Sequence, residues 1–187
     1  MSSSHPADVD MQSAAVKFFS AKQFAVAGAS SIPSKFGHRI FAWYLNHSLP
    51  AIPVNPSYAH VKVRGTEYET VASSSKLSDP ENTSLSVITP PHITTKLLQE
   101  AKESGIPAVW LQPGSFTDKE LNYAIENFPG GAVGGYAEGT GGHEGWCVLV
   151  DGDAAIRAAK RNAQKDKPKT TASRQVDRHD RFQKPFL

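Results

Sequence analysis

The sequence predicts an α/β fold in a single domain, a parallel sheet with helices on both faces. Three observations carry this. Short apolar runs alternate with amphipathic segments at intervals of roughly 25 to 30 residues, the rhythm of strand–helix–strand units. The runs are continuously apolar rather than alternating, as expected of strands covered on both sides. Each one stops at glycine, asparagine or proline, residues that end a strand and open a loop.

In chain order, "DVDMQSAAVKFFSA" sets Met11, Ala15, Phe18 and Phe19 at helical spacing, with Asp8 or Asp10 as cap. "FAVAG" is a strand ending at Gly28, and "FGHRIFAWYLNHS" is a helix with Phe36, Ile40, Trp43 and Tyr44 on one face. "AIPVNP" is a second strand halted at Asn55 and Pro56; a loop from Ser57 to Lys62 leads into a weaker extended piece at "VKVRG". "LSVITPP" is the next strand. A long helix, "HITTKLLQEAKESG", follows with Ile93, Leu97, Leu98 and Ala101 on one face and Gly105 as C-terminal cap. "PAVWLQPG" is strand and turn, with Trp110 in the core. Thr117 and Glu120 make a capping box for the helix "TDKELNYAIENF". "WCVLVDG" is expected as the last strand and "DAAIRAAKRNA" as the final helix.

A length of 187 residues with 39% hydrophobic content suits one domain with a substantial core. The expected division is an N-terminal helix packed on the domain (1–22), the domain itself (23–162) and a basic tail without fixed structure (163–187). Cys147 is the single cysteine, so there is no internal disulfide framework, and "MSSSHPADVD" has neither an apolar leader core nor an arginine bias. The expected compartment is the cytoplasm. No apolar run approaches the roughly 20 residues that cross a bilayer, so no membrane association is expected. The seven histidines lack metal spacing, and one cysteine does not make a structural zinc site. Charge is unevenly placed: residues 157–187 hold 10 basic and 3 acidic residues, leaving 10 basic and 15 acidic in the body. The tail has no aromatics spaced for base stacking, which argues against nucleic acid as a partner.

In a sheet of this kind the loops at the carboxyl ends of the strands line the ligand crevice. Here they are "GASSIPSKFG", "NPSY", "TPPH" and "QPGSF", offering backbone and small polar groups rather than a cluster of acids and bases. The first invites comparison with known phosphate loops. A Walker loop fails, because Lys35 is followed by Phe36 rather than Ser or Thr. A dinucleotide fingerprint is also incomplete: Ser30 and Pro33 stand where the second and third glycines belong, and Asn55 stands where an acid would hold the ribose. That weakens NAD twice and NADP once. What remains is a longer turn, with Gly28 for the bend, Ser30 and Ser31 as hydroxyl donors, and Lys35 at the mouth of a helix whose free N–H groups favour anions.

"VAGASSIPSKFGHRI", "PVNP" and "VWLQPG", in this order, resemble the small CoA-binding family whose fold is related to the CoA-binding domain of the succinyl-CoA synthetase alpha subunit. The resemblance spans roughly Phe24 to Val150 and implies a Rossmann-like fold with a site for coenzyme A, a small-molecule nucleotide cofactor. It implies Gly28, Ala29, Ser30, Lys35, Phe36 and Gly37 around the phosphates and Asn55 and Pro56 beside the nucleotide. Pro90, Pro91, Gln112, Pro113 and Gly114 are then expected to line the crevice. The pattern departs at Thr89, where relatives tend to carry Arg, and around Cys147, where "EGWCVLV" lacks the usual Met-Asp-Arg. Eight glycines in the 16 residues 130–145 are expected to form a flap over the crevice or a linker, the flap being preferred because the stretch joins the ends of core elements.

Other groups have plainer readings. Cys147 is expected as a small buried hydrophobe rather than a nucleophile, His143 and Glu144 as surface groups in the glycine-rich loop, and His38 as a helix-surface imidazole. Lys62 and Arg64 are exposed cations that would meet the 3′-phosphate if CoA binds. The expected function is binding of CoA or an acyl-CoA, with no catalytic constellation and so a ligand binder more than an enzyme. An NADP-binding, oxidoreductase-like protein is the alternative, and a regulatory or scaffold protein using the basic tail is a third. A homodimer is left open.

Overall fold

The computed structural model describes residues 10–135 and 145–165. Its elements run α1 (Met11–Phe18), β1 (Gln23–Ala27), α2 (Phe36–Asn46), β2 (Ala51–Val54), β3 (His60–Val63), β4 (Thr66–Glu69) and β5 (Thr83–Val87). They continue with α3 (Pro91–Glu103), β6 (Ala108–Leu111), α4 (Asp118–Asn127), β7 (Ala132–Val133) and α5 (Val148–Lys165). Five parallel strands pair in the order β2-β1-β5-β6-β7, while β3 and β4 form a separate antiparallel hairpin. The order reverses direction between β1 and β5, which makes the gap beyond their carboxyl ends the switch point of the sheet.

Alternate strand residues feed two cores, as the two-residue period of a strand requires. Phe24, Val26 and Trp110 face α1, α2 and α5, whereas Ala25, Leu85, Val87, Val109 and Leu111 face α3 and α4. This is the predicted parallel sheet with helices on both faces. On the first face Phe18 and Phe19 pack edge-on against Trp110, at 5.4 and 5.7 Å between ring centroids. The buried Ser84 hydroxyl donates to the Phe18 carbonyl at 2.8 Å, tying α1 to the sheet. Asp10 caps α1 by accepting from the N–H groups of Gln12 and Ser13.

Three expectations are corrected. The segment "WCVLVDG" is not a strand; from Val148 it is the opening of one continuous helix, α5. A short apolar run does not by itself distinguish a strand from a buried helix turn, and here local bonds decide. The Cys147 carbonyl accepts from the N–H groups of Val150 and Asp151, and the Asp151 carboxylate accepts from the Cys147 N–H at 2.8 Å. The last strand lies instead within the glycine-rich stretch, as the two residues of β7. That stretch is therefore not a flap throughout. The Trp146 N–H donates to the Gly135 carbonyl at 3.0 Å, and residues 136–144 between them, including His143 and Glu144, lie outside the described residues, as does the tail beyond 165.

The helical faces of α2 and α3 have the predicted period with a shifted phase. The buried stripes are Gly37, Ile40, Phe41 and Tyr44, and Thr94, Leu97, Leu98 and Ala101. Phe36 and Ile93 are 56% and 46% exposed. Each helix turns a small residue, Gly37 or Thr94, toward the sheet in its first turn, and the neighbouring large one is left at the carboxyl end of the sheet. The "VKVRG" piece is half of a hairpin, whose return strand follows a two-residue turn at Arg64 and Gly65.

Candidate functional site

The four predicted loops lie at the carboxyl edge of the sheet, and the first is fastened to the second and to the β3–β4 hairpin. Gly28 has φ +93°, and a Cβ there would come within 3.3 Å of Ile88, so the bend after β1 lies against the end of β5. Only glycine combines that backbone with that approach. The Asn55 carboxamide donates to the Ala29 carbonyl at 2.9 Å and accepts from the Ser57 N–H, joining the second loop to the first. The Lys62 N–H donates to the Ser31 hydroxyl oxygen at 2.9 Å, joining the hairpin to it as well. His38 Nδ1 lies 3.0 Å from the Ser30 carbonyl oxygen, closing the loop on the first turn of α2.

Ser30 and Ser31 act toward the backbone as acceptors, Ser30 from the Ile32 N–H. A hydroxyl that accepts still has its hydrogen to give, so both can donate into the crevice. Gly37 supplies what the third glycine of a dinucleotide loop supplies elsewhere. A Cβ at Gly37 would lie 1.9 Å from the Gly28 carbonyl oxygen, so α2 reaches the strand end by backbone contact. The spacing is nine residues rather than five, which is why a search by spacing misses it.

The helix N-termini on this edge differ in one decisive respect. At α4, Glu120 accepts from the N–H and hydroxyl of Thr117 at 2.8 and 2.6 Å and from the Thr95 hydroxyl at 2.8 Å. Burial pushes this carboxyl up, but those three hydrogen bonds outweigh it and hold it down to about 2. At α5, the Gln112 carboxamide oxygen accepts from the Val148 N–H at 3.0 Å. At α3, Pro91 has no N–H to offer. The N-cap of α2 is Lys35, in extended conformation with no side-chain cap, and the first-turn N–H groups of Phe36 and Gly37 have no partner within the helix. Thus α4 and α5 each have a side-chain acceptor at their start and α2 and α3 have none; of the latter two, α2 also keeps both of its first N–H groups, with a partial positive charge beside the switch point.

The remaining expected residues divide by exposure. Pro113 and Gly114 form a tight turn, with φ +85° at Gly114 and the Ser115 N–H donating to the Gln112 carbonyl at 3.0 Å. Gln112 itself is 1% exposed and spends its carboxamide inside, donating to the Ser86 hydroxyl at 3.2 Å as well as capping Val148. Its place is beneath the crevice wall rather than on it. Thr89 pairs with the Thr94 hydroxyl at 2.9 Å at the start of α3, with Pro90 and Pro91 between them. Cys147 is half-buried at the start of α5; burial pushes its thiol up, and the Asp151 carboxylate adds to this.

Arg39 was not anticipated. Its guanidinium carbon lies 5.3 Å from the centroid of the exposed Phe36 ring, adding a second cation to the first turn of α2. The helical spacing of Phe36 and Arg39 was the available signal. An open depression between α1 and the end of α5, lined by Asp10, Lys17 and Asn162, involves none of the strand-end loops.

Solved structures share this fold. A conserved hypothetical protein from Pyrococcus furiosus is 26% identical with a TM-score of 0.50, the match covering 57% of this chain and 87% of that one. A hypothetical protein from Pyrococcus horikoshii is 23% identical with a TM-score of 0.55, covering 68% and 87%. A protein from Thermus thermophilus is 27% identical with a TM-score of 0.54, covering 67% and 90%. A search of curated proteins found no match. The profile described as "CoA binding domain" matches residues 22–133, from the approach to β1 through β7, and the chain therefore belongs to the CoA-binding domain family.

Proposed function

We propose that this protein binds coenzyme A or an acyl-CoA at the carboxyl edge of the sheet, with the diphosphate on the open N-terminus of α2. The supporting observation is the contrast among helix starts: Glu120 and Gln112 supply side-chain acceptors at α4 and α5, whereas α2 has none and keeps its first N–H groups where strand order reverses. Lys35, Ser30 and Ser31 stand around that opening, Asn55 and Pro56 lie beside the nucleotide, and Pro113 and Gly114 bound the crevice on the β6 side. Thr89 leaves the β5 side without the cation that relatives tend to carry. The reading extends to binding and assigns no reaction.

Two measurements test it. Native mass spectrometry of protein purified without added ligand should show an adduct with the mass of CoA or an acyl-CoA. In thermal melts, CoA at about a hundred times its Kd should add about 2.7 kcal/mol of stability, a rise of roughly 5 to 11 °C for a chain of this size. A larger rise with saturating NADP than with CoA would replace this reading by the NADP alternative.

A further inference from the structure

Between β1 and α2 the main chain settles its own donors and acceptors in an uneven pattern. The Gly28 N–H donates to the Val54 carbonyl at 3.1 Å, the Ile32 N–H to the Ser30 hydroxyl oxygen at 3.1 Å and the Lys35 N–H to the Ile32 carbonyl at 3.0 Å. The N–H groups of Ser30 and Ser31 have no acceptor among the described residues. The carbonyls that precede them are both held, and both by side chains. Asn55, just past β2, donates to the Ala29 carbonyl at 2.9 Å, and His38, in the first turn of α2, meets the Ser30 carbonyl at 3.0 Å. A carbonyl only accepts, so Nδ1 is the ring nitrogen that carries the hydrogen in this contact.

A trans peptide is planar, and its C=O and the following N–H point in opposite directions. The Ala29 carbonyl shares its plane with the Ser30 N–H, and the Ser30 carbonyl shares its plane with the Ser31 N–H. Holding the two carbonyls therefore fixes the two N–H groups, turned away from Asn55 and His38. Ser30 is half-buried and Ser31 exposed, so the stretch is open to a ligand. Successive main-chain N–H groups without acceptors are an arrangement that binds anions.

Resting on the CoA reading above, we infer that His38 is a positioning residue for the diphosphate. Its bond to Ser30 sets the peptide so that the Ser31 N–H joins those of Ser30, Phe36 and Gly37 as a donor to the anion, and Asn55 does the same for the neighbouring plane. The imidazole acts through the loop and needs no contact of its own with the ligand. Lys35 brings charge to the anion; His38 brings order, because donors already set in place spare the ligand the cost of arranging them.

The test compares wild type, His38→Ala, His38→Gln and His38→Asn by calorimetric titration of the full chain with CoA and with NADP. The amide nitrogen of asparagine lies about where Nδ1 does, whereas that of glutamine lies nearer the place of Nε2, so only asparagine restores the bond to Ser30. His38→Ala and His38→Gln should lose about tenfold in CoA affinity, while His38→Asn stays within about threefold of wild type. Ligand-free melting temperatures should all lie within about 4 °C of wild type, since one hydrogen bond at a half-buried carbonyl is at stake. In amide NMR spectra of wild type, CoA should shift the Ser30 and Ser31 N–H signals. Wild-type CoA affinity in His38→Ala, no recovery in His38→Asn, or Ser30 and Ser31 signals unmoved by CoA overturns the positioning role and leaves CoA binding intact. The same order of variants with NADP, without CoA binding, supports the positioning role and overturns CoA as the ligand. Binding of neither compound by wild type overturns both.

Discussion

Replacing Gly37 by alanine tests the seating of α2 on the sheet. The added Cβ would lie 1.9 Å from the Gly28 carbonyl oxygen and 3.0 Å from its carbon, and ordinary contact begins near 3.4 Å. The opposing atoms are main chain, so no side chain can rotate away. Either α2 withdraws from the end of β1 by about 1.5 Å or the bend at Gly28 moves, and Gly28 is itself held against Ile88. Overpacking of this kind costs about 1 to 3 kcal/mol; at roughly 2 to 4 °C per kcal/mol for a chain of this size, the melting temperature should fall by about 2 to 12 °C. The same displacement carries the free N–H groups of Phe36 and Gly37 away from the crevice, so CoA affinity should fall too. Circular dichroism melts and calorimetry on the folded variant measure the two effects separately. A Gly37→Ala protein that melts with wild type and binds CoA normally would refute both the close seating and the phosphate placement.

Lys35→Ala should weaken CoA binding by about tenfold or more, the loss of one charge-assisted contact, and leave the melting temperature unchanged because the residue is exposed at a loop mouth; unchanged affinity counts against the placement. Gln112→Leu removes the partner of the Val148 N–H and of the Ser86 hydroxyl. An unsatisfied buried group costs about 1 to 3 kcal/mol, so melting should drop by several degrees while the folded fraction still binds CoA; lost affinity with unchanged melting would make Gln112 a ligand instead. Glu120 has a folded pKa of about 2 against an ordinary 4.5. Its stabilisation is present above 4.5 and lost as pH falls toward 2, so wild-type melting should decline more steeply across that window than that of Glu120→Gln, and parallel pH profiles would contradict the capping role. With its thiol pushed up by burial, Cys147 should react with iodoacetamide at pH 7 more slowly than free glutathione, followed by mass spectrometry; faster labelling would point to a reactive thiol.

Most strands and helices were legible because their signals are local. The capping box at Thr117 and Glu120, the glycine after α3 and the stop after β1 each state their structure in a few residues. Where the reading failed, the deciding atom was distant in sequence. "WCVLV" looks like a strand until Gln112, more than thirty residues earlier, caps Val148 and helps fix a helix start. Gln112 was placed in the crevice for the same reason: its motif is visible in the sequence, but the Ser86 and Val148 partners that occupy it are not. The hairpin was half seen because β4, "TEYE", is too polar and exposed to announce itself as a strand. The phases of α2 and α3 slipped because the preference for a large apolar residue facing inward yields, in the first turn, to the need for close approach.

That last displacement bears on what the edge can hold. Among the described residues the exposed large apolar side chains are Ile32, Phe36, Tyr58, Ile93 and Val150. All five sit on a loop or first helical turn at the carboxyl end of the sheet, after β1, β2, β5 or β7. Scattered surface leucines or valines need no explanation, but gathering at one edge does. A purely anionic ligand would use the open start of α2, Lys35 and Arg39, and would have no use for a surrounding apolar rim. A molecule with a phosphate head and a long, weakly polar arm would use both, the head at α2 and the arm across the rim toward Ile93 and Val150. Coenzyme A has that division of character, and an acyl group on its thiol would extend the apolar part. The rim therefore argues in the same direction as the uncapped helix, from side chains other than the cations at that helix start.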